Sequence, residues 1–423
     1  MWLSKLNKYQ RILQFQRITW ILIAGVLFYC YEFFLRILTG AYQEEITSYF
    51  HINSHLGFSF LISSYNFTYL LMQIPAGILL DKFGSRRCLA IATIICGLGS
   101  ALFIFGGYYL ALFSRLLVGL GSSFAFIGIL KLSRECLPSR YFGLFASVVI
   151  SLGTLAATLS QQISIFLSNY HILWQGVFVY AGLLSIPLAC YFWLVIPKAK
   201  QGSHILPSIQ VIKNATVILL KNKLLWLNAL WAGCIYIPTV VITSQYGVYF
   251  FNEMFHQTQY QATGLISMLM LGWIIFSPII VYFVAKTNRL NQIVSIFISM
   301  LVVNTLMLAF VSEFVMEHLT LLIFTFGLFS SVQAIVWQCF DGICDNSITG
   351  IGIAVTNMII TAVTEIGQLL SGAMLDISSS LRQSYHSSLF PYNTQVILLL
   401  FIVFIVVGWY VFYRFSKHIP LIN

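Results

Sequence analysis

The stretch Gly77-Ile78-Leu79-Leu80-Asp81-Lys82-Phe83-Gly84-Ser85-Arg86-Arg87 separates two long apolar runs. Leu71 to Leu80 ends the first, and Leu89 to Phe105 begins the next. A connection this short makes its two flanking helices antiparallel neighbours. Gly84 can take the positive φ of a tight turn, and Gly77 lets another helix approach closely. Lys82, Arg86 and Arg87 hold the turn on the cytoplasmic side of a membrane. Asp81 is the unexpected residue, because an acid facing anionic lipid does not serve solubility. Its carboxylate suits the N-terminal N–H groups of another helix, or a basic side chain. A bond of that kind can be made in one conformation and broken in another. The plainer alternative is an ordinary basic loop.

Composition makes the membrane reading general. Of 423 residues, 59% are hydrophobic and only 8% charged, against about 25% charged in soluble domains. The apolar runs are long and do not alternate, so helices are expected rather than a β-barrel. At about 20 residues per span, twelve helices with short connections nearly exhaust the chain. No room remains for a soluble catalytic domain, so enzymatic activity is not expected. The net charge of +10 reads as basic residues lining one membrane face, not as a nucleic-acid surface. Eight cysteines have neither disulfide nor metal spacing, and the histidines fall in loops, tails and helix ends. Neither metal nor cofactor is expected.

Residues 1–17 form a basic amphipathic lead-in. Segments 1 to 6 run over Thr19–Tyr42, Gly57–Leu80, Cys88–Phe105, Tyr109–Leu132, Phe142–Leu167 and Trp174–Ile196. A basic cytoplasmic linker follows at 197–223. Segments 7 to 12 cover Leu224–Phe251, Ala262–Val284, Gln292–Val311, Leu319–Phe340, Gly350–Leu375 and Gln395–Phe415. Two six-helix bundles are thereby expected at 18–196 and 224–415, with a cytoplasmic tail at 416–423. With the N-terminus inside, the outer connections hold Arg382 and no other Lys or Arg. That asymmetry supports both the orientation and the even helix count.

Every position of the pattern Gly-x-x-x-Asp-(Lys/Arg)-x-Gly-x-basic-basic is met between segments 2 and 3. The chain therefore resembles the major facilitator superfamily over nearly its whole length. The resemblance implies an all-α membrane fold of two six-helix bundles, a central cavity and alternating access. It also implies that Gly77, Asp81, Lys82, Gly84, Arg86 and Arg87 form a cytoplasmic gate. Arg134 and Glu135, at the end of segment 4, are expected partners of Asp81 and Arg86. The connection Ala285-Lys286-Thr287-Asn288-Arg289 is a worn counterpart of the gate loop, with alanine at the acidic position.

Charges inside a bilayer cost about 2.5–3.5 kcal/mol on insertion scales, so each needs a reason. Glu32 and Arg36 are four apart on segment 1 and share a face. They form either a self-compensating pair or a counter-ion and a guanidinium presented to a substrate anion. Arg115 precedes Gly119 and Gly121, and resembles the family's segment-4 arginine, implied in proton coupling. Glu365 on segment 11 is either a hydrogen-bonded packing acid or a second proton carrier. Tyr31, Tyr65, Asn66, Tyr236, Gln245, Gln333 and Trp337 are candidate cavity-lining residues, Trp337 alternatively an interfacial anchor.

The function expected is a secondary transporter of an organic anion, amino acid or short peptide, coupled to protons. The cellular setting expected is a bacterial inner membrane with both termini cytoplasmic, and the chain is expected to act as a monomer. Arg36 after Tyr29 and Tyr31 resembles the arginine of organic-anion and organophosphate members. Segment 7 lacks the second basic residue of the phosphate exchangers. The alternatives are a non-transporting sensor of the same fold and a drug/proton antiporter. Segment 5 lacks the Gly-Pro signature of such exporters.

Overall fold

The computed structural model describes residues 8–52, 55–170, 172–197, 217, 221–287, 289–310, 312–344, 348–385 and 394–418. Among the described residues the regular secondary structure is all helical, with twelve principal helices, of which Leu319–Ser330 reaches spanning length only with the helical turns that continue it to Asp341. They are α1 (Lys8–Ala41), α2 (His55–Phe83), α3 (Ser85–Leu102), α4 (Tyr108–Cys136), α5 (Phe142–Asn169) and α6 (Trp174–Val195). Then follow α7 (Lys223–Val241), α8 (Gln259–Thr287), α9 (Leu290–Ala309), α10 (Leu319–Ser330), α11 (Thr349–Tyr385) and α12 (Thr394–Ser416). Eleven spans are both long and apolar enough to cross a bilayer. The twelfth, α2, has 29 residues, ample at 1.5 Å per residue. The chain is a multi-pass membrane protein.

Several ends follow from local chemistry. Gly84, at φ 81°, turns the chain between α2 and α3, a conformation that favours glycine. Asn222 caps α7, its side chain accepting from the N–H groups of Leu224 and Leu225. Two helices depart from the even spans expected. α7 contains Pro238 and passes into a π-turn, Ile242–Tyr246, before Gly247–Phe255. α10 passes into a 3₁₀ stretch, Ser331–Ile335, before Val336–Asp341. The described part of the lead-in, from Lys8, is helical and continues into the span without a break, and residues 1–7 lie outside the described residues.

By contacts the chain divides into two units. The first holds residues 1–139, 152–220 and 345–355; the second holds 140–151, 221–344 and 356–423. In the first, α4 is the centrepiece. It packs on α1, α2 and α3, and α3 packs on α6. Glycines let the backbones touch. A Cβ at Gly119 would strike the Tyr65 carbonyl, and one at Gly121 would reach the Ala92 carbonyl at 2.5 Å. One end of this unit is closed by an aromatic cluster. Phe103 stacks on Phe178 at 4.6 Å, and Trp174 meets Phe178 edge-on. The short helix Gln43–Tyr49 brings buried Ile46 into the same cluster.

In the second unit α8 packs on α10, and α7 and α9 pack on α12. Gly272 and Gly327 allow the α8–α10 backbones to meet. Asn228 on α7 donates to the Val336 carbonyl at 3.0 Å and accepts from the Trp231 indole at 3.1 Å. Such side-chain bonds satisfy buried backbone where lipid offers no partner.

Candidate functional site: a two-arginine cluster and a carboxylate clasp

The first unit gathers its intramembrane charges around one tyrosine. Tyr65 on α2 is fully buried, and its hydroxyl donates to Glu32 Oε2 at 2.7 Å. The Arg36 guanidinium lies 5.5 Å from the Tyr65 ring, 5.9 Å from Tyr69 and 5.8 Å from Phe33. The Arg115 guanidinium lies 4.9 Å from the same Tyr65 ring. Such contacts suit cations in dry surroundings. Gly119 explains why they coincide. It presses α4 onto the backbone of Tyr65, and Arg115, one turn earlier, arrives beside the ring.

Arg115 is buried and holds α1 through backbone, donating to the carbonyls of Leu35 at 3.2 Å and Arg36 at 3.4 Å. Its Nε has no partner among the described residues. Glu32 and Arg36 share a face as their spacing predicts, but neither arginine lies within ion-pair distance of Glu32 among the described residues. The direct pair is replaced by a carboxylate–phenol bond and two ring contacts. The cluster therefore sets two guanidiniums against one carboxylate.

Other candidate residues are placed differently. Tyr31 is buried, its hydroxyl committed to the Ala181 carbonyl on α6 at 2.8 Å. The expectation that it faces substrate is corrected: it ties α1 to α6. Asn66 is half-buried on α2. In the second unit Tyr236 is half-buried, 5.9 Å from Trp273. The side chain of Gln245 lies outside the described residues, although its backbone sits in the π-turn. Gln333 is buried in the 3₁₀ stretch. Trp337 is 1% exposed, which rules out the anchoring role at a membrane interface. Glu365 is half-buried on α11, one residue after Thr364, whose hydroxyl bonds the Thr361 carbonyl.

The carboxylate of Asp81 sits at the end of α2, against the first turn of α11. It accepts from the N–H of Gly350 at 3.2 Å and of Ile351 at 3.0 Å. Free N–H groups and the helix dipole favour an anion there. Gly77 and Gly350 make room, since a Cβ on Gly77 would lie 2.7 Å from the Gly350 carbonyl. The basic partner is Lys131 on α4. Its Nζ is 2.5 Å from Asp81 Oδ1 and 2.8 Å from the Leu80 carbonyl.

Lys131, rather than the expected Arg134 or Glu135, pairs with Asp81. The signal was its position one turn before Glu135, to which it lies within 4.0 Å. Glu135 is exposed, and Arg86 stacks on Trp193 at 4.5 Å. Lys82 lies 5.2 Å from the ring of Phe83, and Arg87 is exposed.

A family model described as Major Facilitator Superfamily matches residues 21–368. The chain belongs to the major facilitator superfamily. A solved superfamily structure, the proton:xylose symporter XylE bound to 6-bromo-6-deoxy-D-glucose, aligns with TM-score 0.67 at 15% identity. It covers 96% of both chains, a likeness of fold. The uncharacterized transporter YybO of Bacillus subtilis (strain 168) is 29% identical over 44% of this chain and 42% of its own length. The probable galactarate/D-glucarate transporter GudP of Escherichia coli (strain K12) is 30% identical over 33% of this chain and 32% of its own. The chain thus matches less than half the length of these curated superfamily relatives.

Proposed function

We propose that this superfamily member transports a small organic anion, a hydroxylated carboxylate by preference, by alternating access coupled to protons. The observation that carries the reading is the charge balance around Tyr65. Two guanidiniums face one carboxylate in a region where an unmatched charge is expensive. A substrate carboxylate offers the missing negative charge, and Arg36, which is only half-buried, is the group to meet it. Arginine presents a fork that fits a carboxylate at two points. Galactarate and D-glucarate, the sugar diacids in the name of GudP, have this chemistry.

Glu32 is the first proton carrier in this reading, with Arg115 as its neighbouring cation and Glu365 as a second candidate. A proton on Glu32 leaves both arginines uncompensated, so proton and anion favour each other's binding. Asp81, held by Lys131 and the start of α11, is the gate clasp. The setting proposed is a bacterial inner membrane with both termini in the cytoplasm.

The test is counterflow of labelled D-glucarate and D-gluconate in proteoliposomes, with Arg36→Ala as the paired variant. Wild-type exchange that Arg36→Ala lowers at least tenfold is expected, the size of a lost charge-assisted bond. Binding without exchange would make the protein a sensor. Exchange unchanged in Arg36→Ala would remove the arginine from the site.

A further inference from the structure

We propose that Tyr65 is a positioning residue that transmits the protonation of Glu32 to the two guanidiniums of Arg36 and Arg115. The inference deepens the transport reading above and rests on its assignment of Glu32 as proton carrier.

Three contacts converge on this one side chain. The hydroxyl donates to Glu32 at 2.7 Å, and the ring lies 5.5 Å and 4.9 Å from the two guanidinium carbons. Since Glu32 forms no ion pair with either arginine among the described residues, the phenol is the shared neighbour. Tyr65 has little freedom to do anything else. It is fully buried, α4 presses on its carbonyl at Gly119, and its ring stacks on Tyr69 at 5.9 Å with 13° between planes. Arg115 is likewise fixed by the carbonyls of Leu35 and Arg36.

The remaining titratable groups near the cluster are few. Tyr69 on α2 lies 5.9 Å from the Arg36 guanidinium, and Tyr29 on α1 lies within its electrostatic range. The thiols of Cys30 on α1 and Cys96 on α3, engaged with the Leu152 and Val118 carbonyls, lie within electrostatic range of Glu32. None carries a formal charge near neutral pH, so Glu32 is the group whose charge can change.

The coupling has a direction. A phenol bonded to a carboxylate is polarised, which raises electron density on its ring and strengthens both cation–π contacts. Protonation of Glu32 turns a charge-assisted bond into a neutral one of about half the strength. The ring then holds both guanidiniums less firmly, and Arg36 is released to an incoming anion. Proton and anion would thereby load together.

Infrared titration of the purified full-length protein in lipid, without substrate, tests the inference. Wild type is expected to show a buried carboxylic-acid band that titrates. Glu32→Gln should lose it and Glu365→Gln should keep it. Tyr65→Phe retains the ring and drops the hydroxyl, which stabilises the ionised carboxylate. The midpoint of the band in that variant should therefore move by about one pH unit to higher pH.

A second arm needs no variant. In wild type with isotope-labelled tyrosine, a tyrosine C–O band should shift with the same midpoint as the acid band. An unmoved midpoint in folded Tyr65→Phe, a band that survives Glu32→Gln, or a tyrosine band silent across the titration would overturn the proposal. Neither arm uses a transported solute. A failure to exchange any carboxylate would sink the transport reading alone.

Discussion

A single methyl group at position 119 would press against the carbonyl of Tyr65. That contact determines whether Arg115 reaches the Tyr65 ring. Gly119→Leu should separate α2 from α4 and lower stability by about 1–3 kcal/mol, the range for overpacking a tight interface. Gly40 is the control, since a Cβ there would meet nothing within 4 Å. Gly40→Ala should unfold at the wild-type temperature, while Gly119→Leu should unfold well below it in a thermal scan. Equal stability of the two variants would show that the close approach is dispensable. At this scale the sequence announced which residues were expensive: Glu32, Arg36 and Arg115 stand out against an apolar background. It did not announce that Tyr65 lies between them, because spacing on α1 says nothing about which tyrosine of α2 faces it.

Among the elements, the clasp at the end of α2 was the most legible feature. Its residues are contiguous, and a turn between antiparallel helices leaves them few places to go. Lys131 was harder to find, because its role depends on the direction in which α4 passes the end of α2. The chemistry predicts an asymmetric response to charge reversal. Asp81→Asn should lower carboxylate exchange while the protein remains folded and inserted, since an amide meets the N–H groups of Gly350 and Ile351 only as a neutral acceptor.

Exchanging the pair, as Asp81→Lys with Lys131→Asp, should fail to restore exchange. A lysine at position 81 would bring a cation and no acceptor to a helix N-terminus. Full restoration by the swap would mean that the Lys131 contact alone matters. Wild-type flux in Asp81→Asn would dismiss the clasp altogether. Less legible were the π-turn in the extension of α7 and the 3₁₀ stretch after α10. Pro238 hinted at the first. Yet the turn lies against α11, where Gly372 leaves room for the Tyr246 hydroxyl, and no local pattern encodes that neighbour.

For the whole molecule, the basic residues predict the orientation. With the outer connections holding Arg382 and no other Lys or Arg, both termini should face the cytoplasm. A C-terminal green fluorescent protein fusion should fluoresce, and a C-terminal alkaline phosphatase fusion should be inactive. The reverse pattern would invert the topology and place the Asp81 clasp on the outer face.

Apolar length, the positive-inside bias and the contiguous Gly77–Arg87 stretch determined a twelve-helix superfamily member. Each acts locally, through the cost of dehydrating backbone and charge. Tertiary structure alone decided that two arginines from different helices share one tyrosine, that Glu32 bonds to a phenol rather than to Arg36, and that Lys131 holds Asp81. Those outcomes depend on which helix faces meet, and Gly77 on α2, Gly119 on α4 and Gly350 on α11 set how closely they meet.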